Sequence, residues 1–199
     1  MGVLVGKKAP DFTAQAVLGN NEIAQFTLSK ATKGTYAVVF FYPLDFTFVC
    51  PSELLAFDHR LKEFKKRGVE VIGVSIDSQF THLAWKNTAV ENGGIGKVGY
   101  PLVADVKHEI CRAYDVEADG GVAFRGSFLI DKAGVVRHQV VNDLPLGRNV
   151  DEMLRMVDAL QFTEKHGEVC PAGWEAGKDG MQATPEGVAK YLAEHHQEL

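Results

Sequence analysis

Residues 40–51 read Phe40-Phe41-Tyr42-Pro43-Leu44-Asp45-Phe46-Thr47-Phe48-Val49-Cys50-Pro51 and join the most strand-like run of the chain to a helix pattern. They overlap residues 36–42, a continuous run of apolar, β-branched and aromatic side chains that predicts a strand buried on both faces of a sheet. Beyond it, apolar residues recur at helical spacing until Gly68, which predicts a helix from about residue 50 to 67. Cys50 therefore lies at the start of a helix, with Pro51 in a first-turn position that proline favours.

The position of Cys50 at a helix start has a chemical consequence. Free backbone N–H groups and the positive end of the helix dipole both favour a thiolate over a thiol. Thr47 lies one turn upstream, where its hydroxyl can donate to the sulfur or to a substrate, and Pro43 can shield a thiolate from water. A small buried hydrophobe would suit the same position, because free cysteine is commonly buried. The residues alone leave both interpretations open.

Length and composition exclude several classes of protein. A chain of 199 residues predicts one domain with room for a tail. The hydrophobic fraction of 46% and the charged fraction of 24% are ordinary for a soluble globular protein. A net charge of −5 without a Lys/Arg block argues against nucleic acid as a partner. No membrane association is expected either, because the longest apolar runs are too short to span a bilayer.

The cysteine content and the N-terminal residues indicate a compartment. Three cysteines are too few, and odd in number, for a secreted disulfide framework. Residues 1–8 lack the basic region and long apolar core of a signal peptide. We therefore expect a cytoplasmic protein, in which any disulfide is transient and catalytic.

The chain beyond the first helix alternates between strand and helix patterns. A second apolar, β-branched run at 69–77 implies a parallel strand pair with a right-handed crossover. Ser78 is the expected N-cap of a helix that ends near Asn92. Cys111 lies on the apolar face of a short helix, which indicates core packing. The remaining predicted elements are a small hairpin or an irregular lead-in within 1–35, a strand at 100–105, the short helix at 107–115, an antiparallel hairpin of 123–131 and 135–141, and an amphipathic helix capped by Asn149.

The helical pattern changes at Phe162. Residues from there to Gly180 have no periodicity, and a short helix follows that Thr184 caps. We therefore predict a domain of residues 1–162 and a C-terminal arm of residues 163–199. The order of elements indicates an α/β fold with a mixed central sheet flanked by helices, compatible with a thioredoxin-like fold that carries the arm and terminal helix as additions.

The pattern Pro43-x-x-x-Thr47-x-x-Cys50 resembles the active-site signature of the peroxiredoxins. The surrounding residues 41–53 resemble the typical two-cysteine branch nearly residue for residue. The resemblance extends from about residue 5 to the final helix. It implies a thiol-dependent peroxidase that reduces hydrogen peroxide and organic hydroperoxides through a sulfenic acid on Cys50.

The resemblance also implies a charged environment for the thiolate. Arg125, in Arg-Gly-Ser-Phe-Leu-Ile-Asp, looks like the active-site arginine, whose guanidinium pairs with the thiolate and donates to a peroxide oxygen. Arg148 matches a second arginine of the family. Glu53 follows Cys50 by one turn, where its carboxylate can hold an arginine in place.

The segment Glu168-Val169-Cys170-Pro171-Ala172-Gly173-Trp174 resembles the resolving-cysteine segment of the typical two-cysteine class. The resemblance implies that Cys170 of one subunit forms a disulfide with Cys50 of the other subunit. Thioredoxin or a dedicated disulfide reductase then restores both thiols by exchange. Such proteins form homodimers that assemble into decamers, and neither a cofactor nor a metal is expected.

Two further segments concern over-oxidation. Gly93-Gly94-Ile95-Gly96 resembles an insertion of easily over-oxidised peroxiredoxins, while Tyr191-Leu192 stands where those proteins have Tyr-Phe. A helix packed over the active site keeps the sulfenic acid of Cys50 exposed longer to a second peroxide. Leucine reduces the aromatic packing, so we expect intermediate sensitivity to over-oxidation.

Other functions fit the sequence less well. A thiol-disulfide oxidoreductase normally carries Cys-x-x-Cys, but Thr47 occupies the first cysteine position. A Cys/His hydrolase needs a histidine base, and the sequence marks none of the seven histidines as one. The cysteines and histidines lack the ligand spacing of a zinc site. An oligomeric holdase chaperone or a peroxide sensor is the alternative to a peroxidase.

Overall fold

The expected mixed sheet is present as seven strands in the computed structural model, which describes residues 2–198. The strands are β1 (Thr13–Val17), β2 (Ile23–Thr27), β3 (Tyr36–Phe41), β4 (Val69–Ser75), β5 (Leu102–Ala104), β6 (Arg125–Ile130) and β7 (Val136–Asn142). Their order across the sheet is β2-β1-β5-β4-β3-β6-β7. The β3–β4 and β4–β5 pairs are parallel and the other neighbours are antiparallel, which confirms the predicted crossover pair and both hairpins.

The α-helices in the described residues number seven, and two short 3₁₀ turns accompany them. They are α1 (Leu28–Ala31), α2 (Cys50–His59), α3 (Leu61–Lys66), α4 (Gln79–Asn87), α5 (Glu109–Ala113), α6 (Val150–His166) and α7 (Pro185–His195), with 3₁₀ turns at Val90–Asn92 and His196–Glu198. None of these helices is long and apolar enough to cross a membrane.

The single helix expected over residues 50–67 was wrong, because the chain breaks at Arg60. This residue has φ −102° and ψ 2°, and its N–H bonds to the Phe57 carbonyl, one residue short of the α-helical spacing. α3 then begins with Leu61. The break leaves Phe57, Leu61 and Phe64 all buried, and Phe57 stacks on Phe40 with ring centroids 4.1 Å apart. The apolar face of the predicted helix therefore continues across the break.

The helix that follows Ser78 is also shorter than expected. Ser78 caps α4 as predicted, accepting from Thr81 N at 3.2 Å, but the helix ends at Asn87 rather than near Asn92. The reason is a close approach after the helix: a Cβ on Gly94 would lie 2.0 Å from the Thr88 carbonyl oxygen. Only glycine allows this return of the chain, so the glycine-rich loop ends the helix early.

The core of the sheet region lies around β3, whose six residues are all buried as expected. Cys111 is 1% exposed and belongs to the same apolar cluster, which confirms its expected packing role. β6 is buried along its whole length as well. Two fully buried neighbouring strands give the chain a rigid platform at the point where β3 ends and the Cys50 segment begins.

The chain divides into two compact units, residues 1–150 and 151–199, and the expected boundary at residue 162 stays a prediction. In the second unit, α6 continues past Phe162 to His166. Val169 and Met181 then form a β-bridge, and Trp174 is only 3% exposed. The Thr184 hydroxyl caps α7 as predicted, accepting from Gly187 N at 3.0 Å. The predicted arm is therefore more ordered than its sequence pattern indicates.

Candidate active site

Cys50 is the first residue of α2, and its side chain is buried with 1% exposure. The Thr47 hydroxyl lies 3.1 Å from Cys50 Sγ and 2.7 Å from the Leu44 carbonyl oxygen. A hydroxyl has a single hydrogen and can donate to either neighbour. The one-turn spacing inferred from the sequence therefore does bring Thr47 to the sulfur.

Arg125 approaches the sulfur from the first residue of β6. Its Nη1 lies 3.5 Å from Cys50 Sγ and 2.6 Å from Glu53 Oε2, and its Nε donates to the Leu144 carbonyl at 2.7 Å. Burial lowers the pKa of Arg125, but its hydrogen bond to Cys50 and the charge of Glu53 together raise it overall. A guanidinium fixed on three sides thus presents permanent positive charge to the thiol.

Glu53 holds two arginines rather than one. Arg148 donates to it from Nε and Nη2, both at 2.9 Å, and from its backbone N–H at 3.0 Å. Burial lowers the pKa of Arg148, and Glu53 opposes that shift. Arg148 Nη1 also donates to the carbonyls of Phe41 and Gly126 at 2.6 and 2.8 Å. The ion pairs therefore join the ends of β3 and β6 to the first turn of α2.

Pro43 is buried two residues after the end of β3, where the chain leaves the sheet. Cys170 lies in the second unit. It is half-buried, and its Sγ is 3.6 Å from the Ala159 carbonyl oxygen. Burial raises the pKa of the Cys170 thiol, and Arg155 opposes this. Arg155 also donates to the Trp174 carbonyl at 2.7 Å, which holds the segment that follows the cysteine.

A possible metal-ligand cluster was found in the described residues at His108, Cys111 and Glu117, whose ligand atoms lie within 4.8 Å of one another. Glu117 is already occupied, because Arg112 donates to both of its oxygens and His108 Nδ1 lies 2.7 Å from one of them. Burial raises the pKa of Cys111 to about 12, which keeps it a thiol at neutral pH. The donor set is therefore better explained as an internal hydrogen-bond group than as a metal centre.

Sequence reasoning missed a group beside the site. Asp45 is buried between the Tyr42 hydroxyl, 2.8 Å from Oδ1, and His82 Nδ1, 2.7 Å from Oδ2. Tyr42 and Asp45 both lie within residues 40–51, but the sequence pattern there gives no sign of a polar network. His82 sits on α4 and is separated from Asp45 by 37 residues. No local signal distinguishes it from the other histidines.

Comparison with known proteins assigns the family. The model of the AhpC/TSA family matches residues 5–139, and the model of the C-terminal domain of 1-Cys peroxiredoxin matches residues 159–194. The chain therefore belongs to the AhpC/TSA family of peroxiredoxins, and it is a thiol-dependent peroxidase with a thioredoxin-like fold. The resemblance inferred from the Cys50 signature is thus confirmed.

Individual relatives cover nearly the whole chain. Alkyl hydroperoxide reductase C of Helicobacter pylori is 61% identical over 194 residues, which is 97% of this chain and 98% of the relative. Peroxiredoxin-2 of Macaca fascicularis is 52% identical over 193 residues, 96% of each chain. The reduced 2-Cys peroxiredoxin of Plasmodium vivax has a TM-score of 0.94 at 48% identity, covering 96% of this chain and 99% of that one. These relatives favour the peroxidase over the holdase or sensor alternative.

Proposed function

We propose that Cys50 is the peroxidatic residue of a two-cysteine peroxidase that reduces hydrogen peroxide and organic hydroperoxides. The observation that carries this proposal is the pair of donors around its sulfur, Thr47 Oγ1 at 3.1 Å and Arg125 Nη1 at 3.5 Å. Both donors can bond to a thiolate or to a peroxide oxygen. A thiolate at a helix start, with two donors in a buried site, suits attack on an O–O bond.

In the first step, the Cys50 thiolate attacks one oxygen of the peroxide. The S–O bond forms as the O–O bond breaks, so that sulfur is oxidised to a sulfenic acid and the peroxide is reduced. The departing oxygen takes up a proton and leaves as water or an alcohol. We propose that Arg125 stabilises the negative charge that develops on the departing oxygen. Thr47 orients the peroxide.

The supporting residues act through these groups. Glu53 fixes Arg125 from one side, since its carboxylate also accepts three hydrogen bonds from Arg148. We assign both residues to positioning of the catalytic guanidinium. Pro43, buried at the exit from β3, is assigned to excluding water from the sulfur.

We assign Cys170 as the resolving residue. Its thiol on one subunit condenses with the Cys50 sulfenic acid on the other, which forms an intersubunit disulfide and releases one water molecule. A dithiol reductant, thioredoxin or a dedicated disulfide reductase, then regenerates both thiols by exchange. Relatives named alkyl hydroperoxide reductase C support a reductase partner of this kind. A cycle between thiol and disulfide suits the cytoplasm, where reductant is supplied.

The protein is also proposed to form a homodimer that assembles into a decamer. An intersubunit disulfide requires at least a dimer. Exposed apolar side chains in the first unit support further association: Phe46, Phe80 and Val106 are 50%, 68% and 56% exposed. Neither nucleic acid nor membrane is part of this proposal.

The test is to add one equivalent of hydrogen peroxide to the reduced protein without reductant. Non-reducing electrophoresis and peptide mass spectrometry should show a dimer in which Cys50 is linked to Cys170. Cys170→Ser should abolish the dimer band and leave a sulfenic acid on Cys50, whereas the matched control Cys111→Ser should retain the band. If Cys50 remained a thiol in the parent protein, its assignment as the peroxidatic residue would be wrong.

A further inference from the structure

A buried hydrogen-bond network adjoins the active-site segment, defined here as residues 43–49. The side chains of His82 and Asp45 have no exposed surface. His82 Nδ1 lies 2.7 Å from Asp45 Oδ2, and its Nε2 lies 3.2 Å from the Val103 carbonyl oxygen. The Tyr42 hydroxyl donates to Asp45 Oδ1 at 2.8 Å. One carboxylate therefore joins the active-site segment to residues next to or within β3, α4 and β5.

The positions of the protons in this network follow from which of the bonded atoms can donate and which can only accept. A carbonyl only accepts, so His82 Nε2 carries a hydrogen for Val103. One more proton lies between Nδ1 and Asp45 Oδ2, and the pair is neutral overall whichever atom holds it. Burial raises the pKa of Asp45, opposed by the hydrogen bond with His82, and burial also raises the pKa of Tyr42. Tyr42 thus remains a donor, and both oxygens of the buried carboxyl group are bonded.

Most side chains of the active-site segment are exposed or half-buried. Phe46 has φ 55°, a left-handed conformation that is strained for an aromatic residue. Phe48 is 97% exposed, whereas the ring of Phe46 packs against that of Trp85 with centroids 5.8 Å apart. Within the segment only Pro43 and Asp45 are buried, and the Asp45 backbone N–H also donates to Asp77 Oδ2 at 2.9 Å. Asp45 therefore fixes the segment through both its backbone and its side chain.

We propose that His82 and Asp45 are positioning residues that hold the active-site segment in its peroxide-reactive arrangement, and that release of this pair permits Cys50 to move towards Cys170. Asp45 lies between Leu44 and Thr47, and the Thr47 hydroxyl donates to the Leu44 carbonyl oxygen at 2.7 Å. Displacement of Asp45 therefore also moves the Thr47 hydroxyl that contacts the Cys50 sulfur. The second half of this inference rests on the proposed function, which requires Cys50 to meet Cys170.

The intact His82–Asp45 pair favours the reaction of Cys50 with peroxide but opposes the formation of the disulfide. Reaction with peroxide needs the segment closed, because Thr47 and Arg125 contact the sulfur only there. Disulfide formation needs it open, because a buried Cys50 is inaccessible to a second thiol. General damage to the fold would slow both steps, whereas loss of the positioning pair slows the first and accelerates the second.

Three variants separate positioning from folding. His82→Phe keeps an aromatic ring but removes both ring nitrogens. Asp45→Asn is the conservative rescue, because its amide oxygen still accepts from Tyr42 and its amide nitrogen donates to Nδ1 of a neutral His82. His59→Phe makes the same replacement at an exposed position and is the matched control.

The first measurement is hydrogen–deuterium exchange of the reduced protein, read by mass spectrometry on a peptide that covers the active-site segment. We expect exchange in that peptide to be about tenfold faster in H82F and close to the parent value in D45N and H59F. In single-turnover quenched-flow experiments, H82F should react with hydrogen peroxide about tenfold more slowly, while its sulfenic acid should convert to disulfide several-fold faster.

The outcomes are distinguishable. If circular dichroism shows H82F to be unfolded, Tyr42→Phe removes a single hydroxyl from the network and should give the same pattern at smaller amplitude. Unchanged exchange in the peptide, or faster exchange spread evenly along the chain, would overturn the proposal, as would a parallel fall in both rates. If the parent protein formed no Cys50–Cys170 disulfide, the proposed function would fail, yet the exchange measurement would still decide whether His82 and Asp45 hold the segment.

Discussion

Replacing Glu53 by glutamine tests whether one buried carboxylate organises the site. The carboxylate is 2% exposed and accepts hydrogen bonds from Arg125 Nη1 at 2.6 Å and from Arg148 Nε, Nη2 and backbone N–H at 2.9–3.0 Å. Glutamine has nearly the same shape, but it lacks the negative charge and turns an amide N–H₂ towards a guanidinium. Both arginines then remain buried without their counter-ion.

The magnitude follows from the burial of all three side chains. Removing one partner of a buried ion pair typically costs about 3–5 kcal/mol, because the remaining charge is left uncompensated. With a urea m-value of about 2–3 kcal/mol/M, this corresponds to a fall of roughly 1–2 M in the midpoint of unfolding. Arg125 also loses its fixed position, so we expect reaction with peroxide to slow by about tenfold or more.

The assay is urea unfolding of the reduced protein, followed by far-ultraviolet circular dichroism at a fixed protein concentration. Glu63→Gln on α3 is the matched control, since Glu63 also contacts two cations, Lys66 at 2.7 Å and Arg67 at 3.2 Å, but at the surface. Its midpoint should stay within the scatter of surface substitutions. Equal midpoints for the Glu53 and Glu63 variants, with the same assembly state by sedimentation, would refute the view that the buried carboxylate organises the site.

The remaining predictions concern the sulfur, one buried lysine and the final helix. Thr47→Val removes the donor at 3.1 Å from Cys50 Sγ and should slow peroxide reaction by about 10–100-fold in quenched-flow measurements, while Thr47→Ser should restore most of the rate. Burial lowers the pKa of Lys86 from 10.5 to about 8, so between these pH values the unfolded chain binds more protons than the folded one. Unfolding free energy should therefore rise with pH across that window by an amount on the order of 2 kcal/mol, and Lys86→Met should remove the rise in urea titrations at several pH values. Leu192→Phe creates the Tyr-Phe pair that the family resemblance links to easy over-oxidation and should increase the sulfinic acid found on Cys50 by mass spectrometry at a given peroxide dose, whereas an unchanged dose response would count against a role for this position.

Much of the site could be predicted because its signals are local. A continuous apolar run marked β3, and the spacing of Thr47 and Cys50 placed both groups at one helix start. Arg125 came from the family resemblance rather than from any local pattern. Thr47 and Cys50 were found because each carries its information within a few positions of the chain.

The features that were missed depend on contacts between distant segments. The helix break at Arg60 has no local signal, because the apolar residues on either side of it keep the spacing of one continuous helix. His82 and Asp45 are separated by 37 positions in the chain, so the sequence around one residue does not predict its contact with the other. The glycine that ends α4 early acts through a close backbone approach to Thr88, which the sequence shows only as a glycine-rich loop.

The placement of the two tryptophans gives the molecule a pair of intrinsic fluorophores, one in each unit. Trp85 is fully buried, with its ring centroid 5.8 Å from that of Phe46 in the active-site segment. Trp174 lies in the Cys170 segment, with its ring centroid 4.8 Å from that of Phe162. Trp174→Phe would leave an emission signal that follows the peroxide-reacting half of the cycle, and Trp85→Phe one that follows the resolving half. The chain therefore carries one intrinsic fluorophore beside the active-site segment and another in the Cys170 segment.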